Sequence, residues 1–455
     1  MKIEKISSQV TPVSKPKTES QTTQEVKDKV ELGGETSTTP MPKAKWLIMN
    51  YIAADCNLQD AQLQNLDDME LVGSDANTHI LTQIDRGPKP TQTFESWPNA
   101  RRYYVTKDAT TGVLKSKVVE ELGRIDMSNP ETLKDFIVWG IKNYPADHVA
   151  LILNDHGGGF TGAMADDSDG NFMSTPQLHE ALSEAEKITG KKIDILGFDA
   201  CLMAQEEVAY ELKDDAKVML ASEESEGAKG WAYSPLLGKT LLNAVEELRK
   251  LTTTRGGAKV DVGPIDFAKK IVEVHSSRQE DIPTLSAIDL TKIGDLKEAT
   301  DNLAKAIQKT TDTEAVKQAI KASEHYGSIW EPYVDFHDLG HLSELIAKNT
   351  TDENLKKAAE AVHSAVEKAV IAKEAEPTKY PNSHGISIYA PTQVGSDGKL
   401  GYDYQKLAFA KDTQWDEAVE LIADKTSSNV TEGKEQSRIT PEVWPDGSPR
   451  KSKEA

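Results

Sequence analysis

A series of apolar, β-branched runs alternates along the chain with stretches of helical periodicity, and that alternation constrains the fold more than any other feature. The runs are KWLIMNYIAA, THILTQID, RRYYVT, HVALILND, KIDILGFD, KVMLASE, TLSAIDL and HGISIYAP. Several are apolar at consecutive rather than alternate positions, as strands covered on both faces are. Between them lie LQDAQLQNLDDMELVG, NPETLKDFIVWGIKNY, STPQLHEALSEAEKITG and ACLMAQEEVAYELKD, all with helical spacing. In the third, Ser174 or Thr175 can cap the helix, with Pro176 in its first turn. Strands alternating with helices imply βαβ crossovers. The predicted fold class is therefore α/β, a three-layer α/β/α sandwich with a mainly parallel central sheet. From about Asp289 to Glu376 helical patterns dominate, which predicts a helical C-terminal subdomain or insertion before the last strand.

Composition marks the boundaries. Residues 1–44 are rich in Ser, Thr, Lys, Gln and Pro and cannot bury enough surface to offset their ordering entropy, so a disordered leader is expected. Residues 426–455 read as a flexible tail in which Trp444 can dock on the body, leaving 45–425 as the folded domain with 289–376 largely helical. A net charge of −21 argues against a nucleic-acid partner, which would want a basic face. No apolar run approaches the roughly 18 residues of a membrane span. The N-terminus lacks an apolar h-region, so the expectation is a cytoplasmic protein or one exported by a non-classical route. Two cysteines, Cys56 and Cys201, make neither a disulfide framework nor metal-ligand spacing, though one bridge stays open. A monomer is expected.

Ligands of an open parallel sheet bind beyond the carboxyl ends of its strands. At that edge HVALILND runs into His156-Gly157-Gly158-Gly159, and KIDILGFD runs into Ala200-Cys201. If the two strands are neighbours, an imidazole and a thiol emerge side by side. A thiol is a poor nucleophile until it is a thiolate, and an adjacent imidazole supplies that activation. The N–H groups of Gly157 and of Cys201, the latter at a helix start, can hold the oxyanion of an acyl-transfer intermediate. The plain alternative is a small buried cysteine beside a glycine loop. Serine-hydrolase use of HGGG needs a G-x-S-x-G elbow, and the chain has none.

The segments NYIAADCNLQDAQLQNLDDMELVG, LILNDHGGGF, ADDSDG, ILGFDACLMAQEEVAYEL, ASEESEGAKGWAYSPLL, LSAIDL, YVDFHDL and HGISIYAP resemble, in order, the clostripain family of cysteine peptidases. The resemblance spans roughly residues 45–420 and implies a caspase-like fold with His156 and Cys201 as catalytic dyad. It further implies an endopeptidase that cleaves protein or peptide substrates after Arg or Lys, with Asp199 binding the basic side chain. A carboxylate there can pair with a guanidinium or ammonium; without the resemblance Asp199 reads as a turn residue or cap. Trp231 can wall the substrate cleft or simply pack. Ala232 stands where relatives often carry an acidic residue, which bears on the strength of the Arg/Lys preference.

Other residues invite plainer readings. Cys56 looks like a local substitution and not a second nucleophile. Asp166, Asp167 and Asp169 resemble part of a calcium loop but fail the EF-hand register, so a solvated turn is expected. No cofactor is expected, beyond the calcium that some relatives require. His337 and His341 lack the glutamate of a zinc H-E-x-x-H helix, so capping and surface roles are expected. No Lys or Arg lies between Lys142 and Lys187, so self-cleavage after the catalytic histidine is closed to a basic specificity, and Arg255 is the alternative. Two rival functions remain: a catalytically silent caspase-like binding module and a non-peptidase thiol hydrolase.

Overall fold

Strand β1, Ala44–Ala54, shows why the apolar runs are unbroken. In the computed structural model, Leu47, Met49, Tyr51 and Ala53 enter one core, while Trp46, Ile48, Ile52 and Ala54 enter another. Successive side chains of a strand point to opposite faces, so a sheet covered on both sides needs apolar residues at every position. The structure describes residues 41–88, 94, 97, 99–231, 233, 262–275, 282–327, 335–401 and 403–425. The expected leader and tail, Trp444, Ala232 and Arg255 lie outside these, except for residues 41–44 of the leader.

The strands that follow are β2 (Thr78–Arg86), β3 (Ala100–Tyr104), β4 (Lys117–Gly123), β5 (Ala146–Asn154), the short hairpin β6 (Ala163–Asp166) and β7 (Asn171–Met173), then β8 (Ile193–Asp199), β9 (Ala216–Ala221) and β10 (Thr284–Asp289). Beyond them come β11 (His325–Tyr326), β12 (Phe336–Asp338), β13 (Val370–Ala375) and β14 (Ser387–Tyr389). The main sheet has the order β13-β10-β9-β8-β5-β1-β2-β3-β4. Its centre, from β9 to β2, is parallel throughout. The flanking pairs are antiparallel, so the sheet is mixed at both edges. The run HGISIYAP does not join this sheet. It supplies β14 of a separate antiparallel sheet ordered β11-β12-β14.

Helix α1 (Gln59–Glu70) and the helix Pro264–Val274 cover one face. Helices α2 (Pro130–Asn143) and α3 (Thr175–Thr189) cover the other, joined by Ile293–Lys309, Leu339–Asn349 and Glu353–Ala369. Ser174 caps α3 in a box with Gln177, whose Oε1 accepts the Ser174 N–H at 3.0 Å, and Gly190 ends it at φ 67°. From β1 the chain runs outward to β2, whereas from β5 it runs the opposite way through β8 to β9. The strand order thus reverses between β1 and β5, opening a crevice at their carboxyl ends. Gln62, buried on α1, spans that point by donating to the carbonyls of Ala53 (3.3 Å) and Asn154 (3.2 Å).

Phe198 of β8 is fully buried in the α2/α3 core one residue before the strand ends. Replacing it with alanine is expected to lower unfolding stability by about 3–5 kcal/mol, read as a lower midpoint in urea denaturation.

Candidate functional site

Strands β5 and β8 pair in parallel with Asn154 opposite Asp199, and Asp155 N donates to Asp199 O at 3.2 Å. His156 and Cys201 each follow two residues later, so neighbouring strands deliver them to the same edge, as the sequence requires for them to cooperate. Gly157 then packs on the backbone of the Cys201 turn: a Cβ there would strike the Cys201 carbonyl oxygen and approach Cys201 N to 3.0 Å. An isolated bridge joins Gly157 to Ala163 through the N–H groups of Gly158 (2.9 Å) and Met164 (3.1 Å), leaving the Gly157 N–H out of it. Gln205 Oε1 steadies the loop by accepting the Phe160 N–H at 2.7 Å.

His156 is only 1% exposed, and its Nε2 lies 2.7 Å from Asn57 Oδ1. An amide oxygen only accepts, so Nε2 donates this hydrogen bond and the ring is held by it. Asn57 sits just beyond β1 on the far side of the strand-order reversal. The sequence reading missed it, although it belongs to the quoted ADCNL stretch.

Cys201 Sγ accepts the Glu226 N–H at 3.3 Å and lies 3.6 Å from Glu226 O. It does not sit at a helix start, as the sequence suggested. Leu202 has φ 66°, Leu202 N donates to Glu224 O at 3.3 Å, and Ala204 N donates to Ser222 O at 2.9 Å. Those bonds commit the backbone to the segment after β9, and helix α4 begins only at Glu206 (Glu206–Glu211). Cys56 and Cys201 are both free thiols. The Cys56 sulfur lies within 4.8 Å of a His156 nitrogen and an Asp155 oxygen. It donates to Asp155 Oδ1 at 3.2 Å, and burial together with that carboxylate pushes its pKa well up.

Asp199 is no helix cap. It is buried, accepts from Trp231 N (3.0 Å), Tyr233 Oη (2.9 Å) and Asn154 Nδ2, and is hydrogen-bonded to Glu226. Glu226 also accepts from Trp231 Nε1 at 3.3 Å. Burial raises the pKa of both carboxyls, Asp199 to about 6, and the Asp199 charge pushes Glu226 further up. Gly230, at φ 60°, makes this cradle possible, since a Cβ there would stand 2.5 Å from Asp199 Oδ1. Trp231 is buried against Gly197, a cradle residue that donates from both backbone and ring. Glu226 and Tyr233, both in the quoted ASEESEGAKGWAYSPLL segment, were also missed.

The acidic turn is only partly solvated. Asp166 is buried, accepts from Asp169 N (3.0 Å) and Met127 N (3.2 Å), and gathers with Asp55 and Asp85 within 4.8 Å. Asp126 and Asp169 form a second group around it. Burial, relieved in part by backbone donors, raises Asp85 to about 8 and Asp166 to about 7. Oxygen donors of this kind suit a hard divalent cation such as calcium. His337 and His341 do not share a helix: His337 is in β12, and His341 lies in the first turn of Leu339–Asn349, its N–H bonded to the capping Asp338 at 2.6 Å.

A model described as the clostripain family matches residues 50–421. A relative named clostripain, from Hathewaya histolytica, is 26% identical over 309 residues, covering 57% of this chain and 56% of its own length. The chain thus spans little more than half of that relative. A solved structure of a secreted C11 cysteine protease from Bacteroides thetaiotaomicron, in complex with an irreversible peptide inhibitor, is 19% identical. It covers 83% of this chain and 99% of its own, with TM-score 0.56. An inactive zymogen C11 protease from Parabacteroides distasonis is 20% identical, with 82% and 99% covered and TM-score 0.57. The likeness to these structures is one of fold, the caspase-like three-layer sandwich.

The two thiols are expected to differ in reactivity. In the folded protein at neutral pH, iodoacetamide should alkylate Cys201 about 100-fold faster than Cys56, which stays protonated until unfolding; peptide mass spectrometry reads both. Equal rates would remove the distinction.

Proposed function

Since the chain belongs to the clostripain family, we propose that it is a cysteine endopeptidase hydrolysing peptide bonds after Arg or Lys. One observation carries this reading: His156 and Cys201 follow paired positions on β5 and β8, and the thiol contacts the backbone of Glu226, whose carboxyl pairs with that of Asp199. His156 Nδ1 takes the thiol proton while Asn57 holds Nε2–H. Cys201 Sγ attacks the scissile carbonyl, and the N–H groups of Gly157 and Cys201 stabilise the oxyanion. The imidazolium then protonates the leaving amine, and water, activated by the same imidazole, releases the acyl group from sulfur.

Asp199 and Glu226 form the base of the specificity pocket, walled by Trp231. A proton on either gives way to the positive charge of the substrate's Arg or Lys, which leaves the carboxyls ionised and paired. A bound cation lowers the pKa of the pair, so substrate affinity falls where the pair is protonated and rises as pH increases. No step needs a metal, and calcium is assigned no catalytic role. Secretion of the Bacteroides thetaiotaomicron protease makes export the accompanying proposal for this chain, checked by fractionating cells and medium. No helix among the described residues is long and apolar enough to cross a membrane.

The deciding assay uses fluorogenic peptides ending in Arg, Lys or Asp. Cys201→Ala and His156→Ala should each lower kcat/KM on the basic peptides by about 1,000-fold or more, whereas Cys56→Ser should retain activity. Activity on none of the peptides would favour a silent binding module, and activity indifferent to the terminal residue would favour another thiol hydrolase. Asn57→Ala should cut kcat about 10-fold with little change in KM, because it frees the ring without touching the pocket. For the wild type, KM on Arg peptides should fall as pH rises through the Asp199 value of about 6, and Asp199→Asn should flatten that dependence. A KM that stays flat in the wild type would remove the carboxyl pair from substrate binding.

A further inference from the structure

Away from the dyad, β11 and β12 place two histidines and a carboxylate together. His325 and His337 are directly opposed in the antiparallel pair, so their side chains leave the same face of the small sheet. Asp335 precedes His337 by two residues, and the period of a strand puts it on that face too. One donor atom from each residue lies within 4.8 Å of the others. His325 Nε2 is 3.4 Å from Asp335 Oδ1, and the two rings stand 5.1 Å apart between centroids.

His337 carries the second observation. It is 4% exposed, yet its Nε2 has no hydrogen-bond partner among the described residues. The other nitrogen, Nδ1, lies 2.9 Å from Ser323 Oγ. Ser323 spends its own proton on the Ile320 carbonyl at 2.9 Å, so its oxygen accepts from Nδ1–H. A neutral ring with its proton on Nδ1 presents a lone pair at Nε2. Burying that lone pair unpartnered costs stability, and a cation would relieve the cost. Outer hydrogen bonds of this kind orient metal-binding histidines. Asp335 is fixed in the same way: Thr392 N donates to Oδ2 at 3.1 Å, and Ala390 N donates to the Asp335 carbonyl at 3.0 Å. Oδ1 is the oxygen turned toward His325.

We propose that His325, Asp335 and His337 form a binding site for a divalent transition metal, zinc above all, with solvent completing the shell. Two imidazoles and one carboxylate are borderline donors that suit zinc better than calcium or magnesium. Donors around tetrahedral zinc stand about 3.3 Å apart, so small rotations of the exposed His325 close the site. The ion ties β11 to β12 on one face, while on the other Phe336 packs on Phe160, with centroids 6.0 Å apart, in the loop that follows His156.

The test uses the full chain as Cys201→Ala, which keeps the reactive thiol from binding the ion. Titration calorimetry with zinc chloride should show a site of micromolar or tighter affinity, unmatched by calcium chloride, whose heat His325→Ala diminishes while any contribution of the Cys56, Asp155 and His156 group persists. His325→Ala and Asp335→Asn should each weaken zinc binding at least about 10-fold. His325 is 46% exposed at its side chain, so its removal leaves the fold standing, which thermal melting monitors. Cobalt(II) should give the visible absorption of a four-coordinate site, lost in His325→Ala. Absence of zinc binding in the Cys201→Ala protein, or equal affinity in His325→Ala, overturns the proposal.

Discussion

The parallel pairing of β5 with β8 is the constraint on which the rest depends. Register fixes Asn154 opposite Asp199, and His156 and Cys201 follow within two residues. A slip of one residue would turn Asp199 from the Trp231 side to the α2/α3 core and part His156 from Cys201. What prevents the slip is burial on both faces. Leu151, Leu153, Leu196 and Phe198 fill one core, while Ala150, Ile152 and Ile195 fill the other. Each apolar side chain thus also helps to place His156 and Cys201.

The same double burial explains why polar groups gather where the strands end. Asp155, Asp166, Asp199 and Glu226 are carboxyls that desolvation pushes upward, held by backbone N–H donors, by hydroxyl and amide side chains, or by one another. Such groups add little to stability compared with apolar residues of similar volume, and departures from local consistency cluster at functional sites. The cradle around Asp199 has the marks of such a departure. It needs Gly230 in the left-handed region and two acids in contact.

Legibility in the sequence tracked burial. Strands β1, β2, β5, β8 and β9 announce themselves because both faces are apolar. β4 (KVVEELG) and β13 (VIAKEA) do not, since they are half-exposed edge strands with charged residues. His156, Cys201 and Gly157 could be paired because each stands just past a readable run. Asn57, Glu226 and Tyr233 could not: their roles depend on loops that return to the site from other strands, and no periodicity encodes a return. The delayed start of α4 was hidden for a related reason, because DACLMAQEE has good helix formers whose backbone is claimed by the segment after β9. The His325–His337 pairing was invisible because it is a cross-strand contact, whereas sequence spacing drew attention to His337 and His341.

Two thiols stand near the carboxyl ends of the central strands, Cys56 within 4.8 Å of a His156 nitrogen and Cys201 two residues beyond β8, and their surroundings differ. Cys56 faces the Asp155 carboxylate, which accepts its proton in a hydrogen bond and penalises a second negative charge. Its remaining contacts, the carbonyl of Ala53 at 3.5 Å and Gln62 Oε1 at 3.7 Å, are acceptors as well; only Leu58 N donates to it, at 3.4 Å. Cys201 likewise receives an N–H, from Glu226, and faces the Glu226 carbonyl at 3.6 Å; it stands beside the Gly157 turn. The difference is not a matter of exposure, which is nearly equal for the two residues, at 8% and 7%. What separates them is the carboxylate of Asp155, which bonds the Cys56 sulfur. Cys56 is held as a thiol by the Asp155 carboxylate, and on the proposed mechanism Cys201 is the sulfur that reacts.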